Sequence, residues 1–364
     1  MTRRHLFLIN IFFSFFLTTH ILLSQTILIP MDANSQKNHL KAYGIAYWII
    51  QNNIEVDWLL NYRGGSFMCD MQDAITKECV YRGVSYEIIS NKEKNQIFNQ
   101  IASPKNNYDI IKLEKAPKVA VYSPKNKQPW DDAVTLVLEY AEIPYDVIYD
   151  KEILSNLLPL YDWLHLHHED FTGQYGKFYR SFKNAGWYIE QKKLFEKEAK
   201  SQGFEKVSKQ KLSVIKKIQE YTAGGGFLFA MCSATDTYDI ALSAQNTDIC
   251  EYMFDGDPIE KNAQNKLTFI ETFAFENFEI ITDPMVYEYS DIDYPQSNNV
   301  VVRGAEADYF SLFEFSAKYD PVPTMLTQNH VSIVKGFMGQ TTGFDKDKVK
   351  NHIVIMGEDP STNQ

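Results

Sequence analysis

The sequence predicts an α/β protein, with a doubly wound parallel sheet in its larger C-terminal part and a smaller α/β lobe before it. Three observations carry that expectation. Short apolar runs alternate with helical stretches at the spacing of strand–helix–strand units. The alternation halts at Ala116-Pro117 and then restarts. Several apolar runs also end abruptly in small or polar residues, as strands do at the carboxyl edge of a parallel sheet.

In the first lobe Thr26–Asp32 reads as a short apolar strand ending in an acid. Residues 37–52 read as a helix, because Leu40, Tyr43, Ile45, Tyr47, Trp48 and Ile50 share a broad apolar face. Val56–Tyr62 is a second strand, ending in Arg63-Gly64-Gly65-Ser66, and Val84–Ser90 is a third, followed by a helix over 91–102. This order predicts a parallel sheet with helices on both faces. The second set begins with a strand at Lys118–Tyr122, a loop over Ser123–Pro129 and a helix over Trp130–Ala141. Strands follow at Tyr145–Tyr149 and Tyr161–His167. Amphipathic helices follow at Gln191–Lys200 and Lys209–Thr222, the latter capped by Ser208, and residues 226–231 close the set as a strand. Beyond Asp236 the pattern loosens, with strands expected at Phe273–Ile281 and Val300–Val302, a strand or a buried turn at Phe310–Phe315, and further strand candidates at Val331–Met338 and Ile353–Met356. The lobes so defined span 26–112 and 113–364.

Arg3 and Arg4 precede an apolar run from Leu6 to Leu23 and a weak cleavage site near Ser24-Gln25. That pattern predicts a signal peptide over 1–25 and export to the periplasm or beyond; the alternative is a retained N-terminal anchor. In an oxidising compartment Cys69 and Cys79, which flank a polar stretch, are candidates to pair. The 36 basic and 47 acidic residues give a net charge of −11, which argues against nucleic acid as a partner. The 45% hydrophobic and 14% aromatic content supports a filled core rather than disorder. No cysteine spacing matches a zinc site, and no cofactor is expected.

The run Gly224-Gly225-Gly226-Phe227-Leu228-Phe229-Ala230-Met231-Cys232-Ser233-Ala234-Thr235-Asp236 carries the strongest chemical signal. A nucleophile on a sharp strand-to-helix elbow needs small residues two positions either side, and Ala230 and Ala234 meet that need. Cys232 is therefore a candidate nucleophile; the alternative is a buried small residue on a central strand. A second signal is Trp163-Leu164-His165-Leu166-His167-His168-Glu169-Asp170, since histidines interrupt what should be a continuous aliphatic strand. His165 and His167 are weak candidates for a metal, and a local polar role for His167, His168 and Glu169 is favoured. If the two strands are neighbours, the His167–Glu169 tip lies near the Cys232 thiol, where an imidazole can lower its pKa and act as base. His168 and the distant His330 are the candidate bases, and the amides near Glu169 and Ser233 are candidate oxyanion donors. In the first lobe, Asp32 and Arg63-Gly64-Gly65 offer a charged fork and approachable amides suited to an anionic ligand, or form a surface turn.

At Tyr161–His168 and Gly224–Asp236 the chain resembles the class I glutamine amidotransferase-like superfold, mainly over residues 118–240. The resemblance implies a flavodoxin-like sheet in which one strand leads into an oxyanion loop and a later one into a cysteine elbow. Active members of that group carry a G-x-C-x-G pattern where this chain has Ala230-Met231-Cys232-Ser233-Ala234, a glycine-rich oxyanion loop where it has His167-His168-Glu169, and a late H-x-E pair where His330 precedes Val331-Ser332. Over most of its length the chain also resembles an exported bacterial family commonly labelled asparagine synthetase B. The segments that carry this are Leu40–Trp48, Leu59–Phe67, Leu164–Gly176, Phe227–Asp236 and Gly336–Thr342. The exposed N-terminal cysteine and the S-G-G-x-D-S loop of a true asparagine synthetase B have no counterpart in these residues. Three functions are thus on the table: a divergent cysteine-dependent amidase or hydrolase, a non-catalytic envelope module, and glutamine-dependent amide transfer. The expected partner is a small molecule or peptide, with a cell-envelope protein as a further candidate.

Overall fold

The structure, a computed structural model, describes residues 25–124, 133–294, 309–320, 331–335 and 343–358. The expected leader and the expected strand Val300–Val302 lie outside the described residues, and no described helix is long and apolar enough to cross a membrane. The chain forms two compact units, Met1–Glu114 with Ser316–Thr324 and Lys115–Phe315 with Met325–Gln364.

The first unit runs β1 (Thr26–Ile29), α1 (His39–Gln51), β2 (Val56–Leu60), β3 (Ser66–Asp70), α2 (Asp73–Arg82), β4 (Glu87–Ile89), α3 (Asn91–Ala102) and β5 (Asp109–Leu113). Its sheet has the order β4-β1-β3-β2-β5, and every pairing is antiparallel, which corrects the parallel sheet expected from the sequence. The cause is the short connection after β2. Asn61, Arg63, Gly64 and Gly65 all take positive φ, and the chain reverses to lay β3 between β1 and β2. A Cβ on Gly64 would meet the Met31 carbonyl oxygen at 2.5 Å, so this reversal requires glycine there. Helices do cover both faces. Leu28, Leu59 and Met68 pack against Ile97 and Ile101 of α3. On the opposite face the Phe67 ring meets Tyr43 of α1 edge-on at 5.7 Å. The side chain of Asn38 caps α1 by accepting the Lys41 N–H at 3.1 Å.

Cys69 lies on β3 and Cys79 inside α2, so the intervening stretch is a strand end and a helix rather than a polar loop. All four cysteines are free thiols, and the expected bridge is not formed. Burial pushes the Cys69 thiol up to about 12 and that of Cys79 up to about 11. A short later stretch returns to this unit, where the Lys318 ammonium donates to the carbonyls of Ile101 and Ser103 at the end of α3.

The second unit is built on β6 (Val119–Tyr122), α4 (Ala133–Ala141), β7 (Tyr145–Ile148), α5 (Asp150–Leu154), β8 (Trp163–Leu166), α6 (Gly186–Ser201), α7 (Val207–Ala223), β9 (Phe227–Ala230) and α8 (Ala234–Ser243). Here the sheet is parallel throughout, four strands in the order β7-β6-β8-β9, so the protein is mixed α/β with one parallel sheet and several antiparallel ones. Ala120, Tyr122, Ile148, Leu164 and Leu166 form the core with α5, α7 and α8. Val119 and Val121 pack on the other face against Leu138 of α4. Helix α7 begins at Val207, so Ser208 lies within it instead of capping it. Phe273–Ile281 contributes isolated bridges rather than a strand, and Ile353–Met356 is irregular, pairing being taken up by Gly357–Glu358. Tyr309–Leu312 and Ile333–Lys335 are strands and pair with each other.

One buried cation ties the carboxyl edge of this sheet together. The Lys211 ammonium, on the apolar stripe of α7, donates to both Asp150 carboxylate oxygens at 3.0 and 2.9 Å, to Tyr122 Oη at 2.8 Å and to Tyr149 Oη at 2.9 Å. The Lys211 and Asp150 side chains are 3% and 2% exposed. Breaking one half of such a pair strands the other charge in a dry interior, which costs about 3–5 kcal/mol. Lys211→Ala should therefore lose about that much in urea unfolding, while the double change Lys211→Met with Asp150→Leu should recover most of it.

Candidate active site

The elbow predicted from sequence exists. Strand β9 ends at Ala230, and Cys232 adopts φ +51° before α8 begins at Ala234. The left-handed turn is held by its own polar groups. The Cys232 carbonyl accepts the Thr235 N–H at 3.0 Å and the Thr235 hydroxyl at 2.6 Å, and the Ser233 carbonyl accepts the Thr237 hydroxyl at 2.6 Å. Ala234 is fully buried, which explains why this position must be small. Strands β8 and β9 are neighbours, and their ends are joined beyond the sheet. Met231 N–H donates to the Leu166 carbonyl at 3.0 Å, Ala234 N–H to the His167 carbonyl at 3.4 Å, and the Thr237 hydroxyl to the Glu169 carbonyl at 3.0 Å.

Cys232 is solvent-exposed as a residue, yet its sulfur is crowded by protein, and that desolvation is the largest influence holding the thiol pKa above its ordinary value. Ser233 opposes this by donating both its N–H and its hydroxyl to the sulfur, whereas Asp236 and Glu169 reinforce it as negative neighbours. Asp236, buried in the first turn of α8, is raised by burial and by Asp293, and burial pushes Asp293 up to about 6. Burial, with Cys232 and both of these carboxyls as neighbours, pushes Tyr287 up to about 12.

Glu169 lies on the loop after β8. Burial pushes its carboxyl up to about 7, against an N–H donated by His167 at 2.9 Å and the field of Lys211. Asp170 organises the same loop by accepting the Thr172 N–H at 2.7 Å, the Thr172 hydroxyl at 2.6 Å and the Gly176 N–H at 2.9 Å. Gly173, Tyr175, Gly176 and Lys177 all have positive φ in that loop. Buried Lys177 donates to the carbonyls of Ile281 and Asp283, and desolvation lowers its pKa to about 8. Above the strand ends, Tyr149, His168, Glu169, Asp170, Phe195 and Lys211 line a pocket of about 50 Å³.

The remaining sequence candidates divide. His168 Nδ1 lies 3.1 Å from His167 Nδ1. His165 is buried and stacks on Phe229, with ring centroids 5.7 Å apart. Among the described residues no histidine group has the spacing of a metal site; the group that does, Asp248, Cys250 and Asp255, has the Lys206 ammonium 2.6 Å from Asp248 and 2.9 Å from Asp255. His330 lies outside the described residues.

In the first unit Asp32 and Arg63 come together. Arg63 Nε donates to Asp32 at 3.0 Å, Nη1 and Nη2 grip Glu87 at 2.9 and 2.8 Å, and Nη2 also reaches the Ser35 hydroxyl at 3.0 Å. Gly64 packs on Met31, and the Gly65 N–H closes the turn on Tyr62. The guanidinium is thus spent on its own chain, so the loop is an internal clamp rather than an open anion cradle.

Sequence reasoning missed Asp150, Lys177, Lys211, Asp236 and Asp293. Lys211 left a readable trace, a lysine on the stripe Val207, Val214, Ile215 and Ile218. No family model matches the chain, and no match was found among curated proteins or solved structures.

Two outcomes follow. A raised thiol pKa keeps the thiolate scarce at neutral pH, so the alkylation rate of Cys232 should keep climbing past the pH at which an ordinary thiol has levelled off. Glu169→Gln, by removing a negative neighbour, should shift that profile to lower pH. The same carboxyl binds a proton more tightly folded than unfolded, so its contribution to stability is full below about pH 4 and is lost as pH rises towards 7. Glu169→Gln should flatten the fall in urea-unfolding stability across that window by a few kcal/mol at most.

Proposed function

We propose that the second unit is a divergent cysteine-dependent hydrolase of an amide or related acyl bond, with Cys232 as nucleophile. One observation carries this reading: an exposed cysteine in the left-handed region, on a strand-to-helix elbow at the carboxyl edge of a parallel sheet. A non-glycine residue held there costs about 1–3 kcal/mol, and such strain concentrates at functional sites. The strand order β7-β6-β8-β9 supports a flavodoxin-like, doubly wound sheet, whose ligands sit beyond the carboxyl ends of the strands.

In this reading the sulfur attacks the acyl carbon and the thiol proton passes to an imidazole, His168 or His330. The Ser233 N–H, next to the nucleophile in sequence, stabilises the developing oxyanion. Glu169, close to half-protonated at neutral pH, supplies a proton to the leaving amine. Water then releases the acyl group from the thioester. A leader at Arg3-Arg4, removed or retained as an anchor, supports the periplasm or the exterior as the compartment of this chemistry, with a small molecule or peptide as the proposed substrate.

The raised thiol favours a second reading, a module that holds such a ligand at the carboxyl edge without turning it over. The two separate experimentally. Wild type and Cys232→Ala are compared for hydrolysis of simple amides and thioesters, with mass spectrometry to locate an acylated cysteine. The hydrolase reading expects an adduct on Cys232 and a loss of about a thousandfold or more in the variant. Turnover that survives removal of the sulfur, or an inert Cys232 across the series, sinks it.

A further inference from the structure

We infer that the chain self-associates through the α4 face of the parallel sheet, two copies packing about a two-fold axis so that each copy's α4 completes the helix layer of the other. The register places Val119, Val121, Tyr145, Val147, Trp163, His165, Phe227 and Phe229 on one face. Parallel sheets are ordinarily covered on both sides. The opposite face carries α5, α7 and α8, whereas this one, among the described residues, carries α4 packed over Val119 and Val121. A helix is about 10 Å across, and four strands at about 4.8 Å spacing need more than that. The shortfall lies over the two outer strands: Val147 of β7 is 48% exposed, and over β9 Phe227 and Phe229 remain 48% and 41% exposed.

The missing cover has the composition of α4 itself. Its sequence, Ala133-Val134-Thr135-Leu136-Val137-Leu138-Glu139-Tyr140-Ala141, is apolar nearly all round. Leu138 and Ala141 point inward, and Leu136, Val137 and Tyr140 are 56%, 43% and 49% exposed. A helix with two apolar sides is built to be buried between two surfaces. In a two-fold arrangement its outer side rests on the partner's Phe227 and the partner's Phe229, and the partner's α4 rests on Phe227 and Phe229 here. The result is sheet, helix pair, sheet. Such a self-complementary patch is what an isologous contact requires.

Area agrees with a second copy as the occupant, and the patch adds no charge to the repulsion between copies. The five exposed side chains of this contact leave on the order of 500 Å² of largely carbon surface, so two copies bury about 1,000 Å², where specific interfaces begin. Copies with a net charge of −11 repel, and none of the five residues is charged. The one carboxylate on α4, Glu139, already accepts the Tyr145 hydroxyl at 2.9 Å.

Sedimentation equilibrium of the purified chain, from micromolar to hundreds of micromolar, tests this. The expected result is a monomer–dimer equilibrium that Leu136→Asp and Phe229→Asp each weaken about tenfold or more. Leu136 is exposed, so urea unfolding and circular dichroism of Leu136→Asp should stay close to wild type, whereas Phe229→Asp also gives up the stacking on His165 and loses some stability. Mixing Leu136→Lys with Phe229→Glu should restore part of the association that each loses alone. A chain that stays monomeric throughout, or a dimer indifferent to both aspartate variants, overturns the inference.

Discussion

The second unit is organised around the buried ammonium of Lys211. It joins α7 to Tyr122 at the end of β6 and to Tyr149 and Asp150 beyond β7. The rings of Tyr122, Tyr149, Phe171 and Phe195 surround it, with centroids between 4.3 and 5.9 Å away. Desolvating a cation this completely is unfavourable unless every donor finds an acceptor. The two carboxylate oxygens and two phenols meet that condition, and in doing so they fix where the strand ends lie. Phe171, which follows Glu169 and Asp170, stacks on Tyr122 at 5.5 Å, so the loop carrying those acids is located by the same cluster.

From that anchor the rest of the carboxyl edge follows. The loop after β8 folds around Asp170, whose carboxylate replaces the backbone partners that a run of left-handed residues gives up. The elbow after β9 is then fastened to that loop through Ala234 and Thr237. The strain at Cys232 is sustained because both flanks of the turn are held, one by threonine hydroxyls and one by the neighbouring strand end.

Much of this was legible in the sequence, and the limits have physical causes. The parallel strands of the second unit were readable because each is a short, largely apolar run set between helical stretches, even where His165 interrupts β8. The elbow was readable because Ala230 and Ala234 flank the cysteine. In the first unit the same alternation misled, since hydrophobic pattern gives a strand's existence and not its direction. Direction was set by Arg63-Gly64-Gly65, for which the sequence left an anion loop and a surface turn both open; it is a chain reversal clamped by Asp32 and Glu87. Polar partnerships across long separations, such as Lys211 with Asp150 or Lys177 with the Ile281 carbonyl, leave little local signal. A single lysine on an apolar stripe was the exception.

The electrostatics of the elbow decide how a thiol there can react. Reactive cysteines are normally held as thiolates by a cation or an imidazolium. Around Cys232 the acids Asp236 and Glu169 act against a thiolate, and the Lys211 cation, whose field reaches Glu169, is committed to Asp150. The serine donors offset part of that field but not all of it, since the net shift is upward. A resting protonated thiol beside a partly protonated Glu169 is therefore the stable state near neutral pH. Nucleophilic attack from that state requires the proton to leave as the acyl carbon arrives, so any base must act within the bound complex rather than beforehand. Under the proposed hydrolase reading, that requirement calls for an imidazole positioned by the ligand and not a preformed thiolate–imidazolium pair.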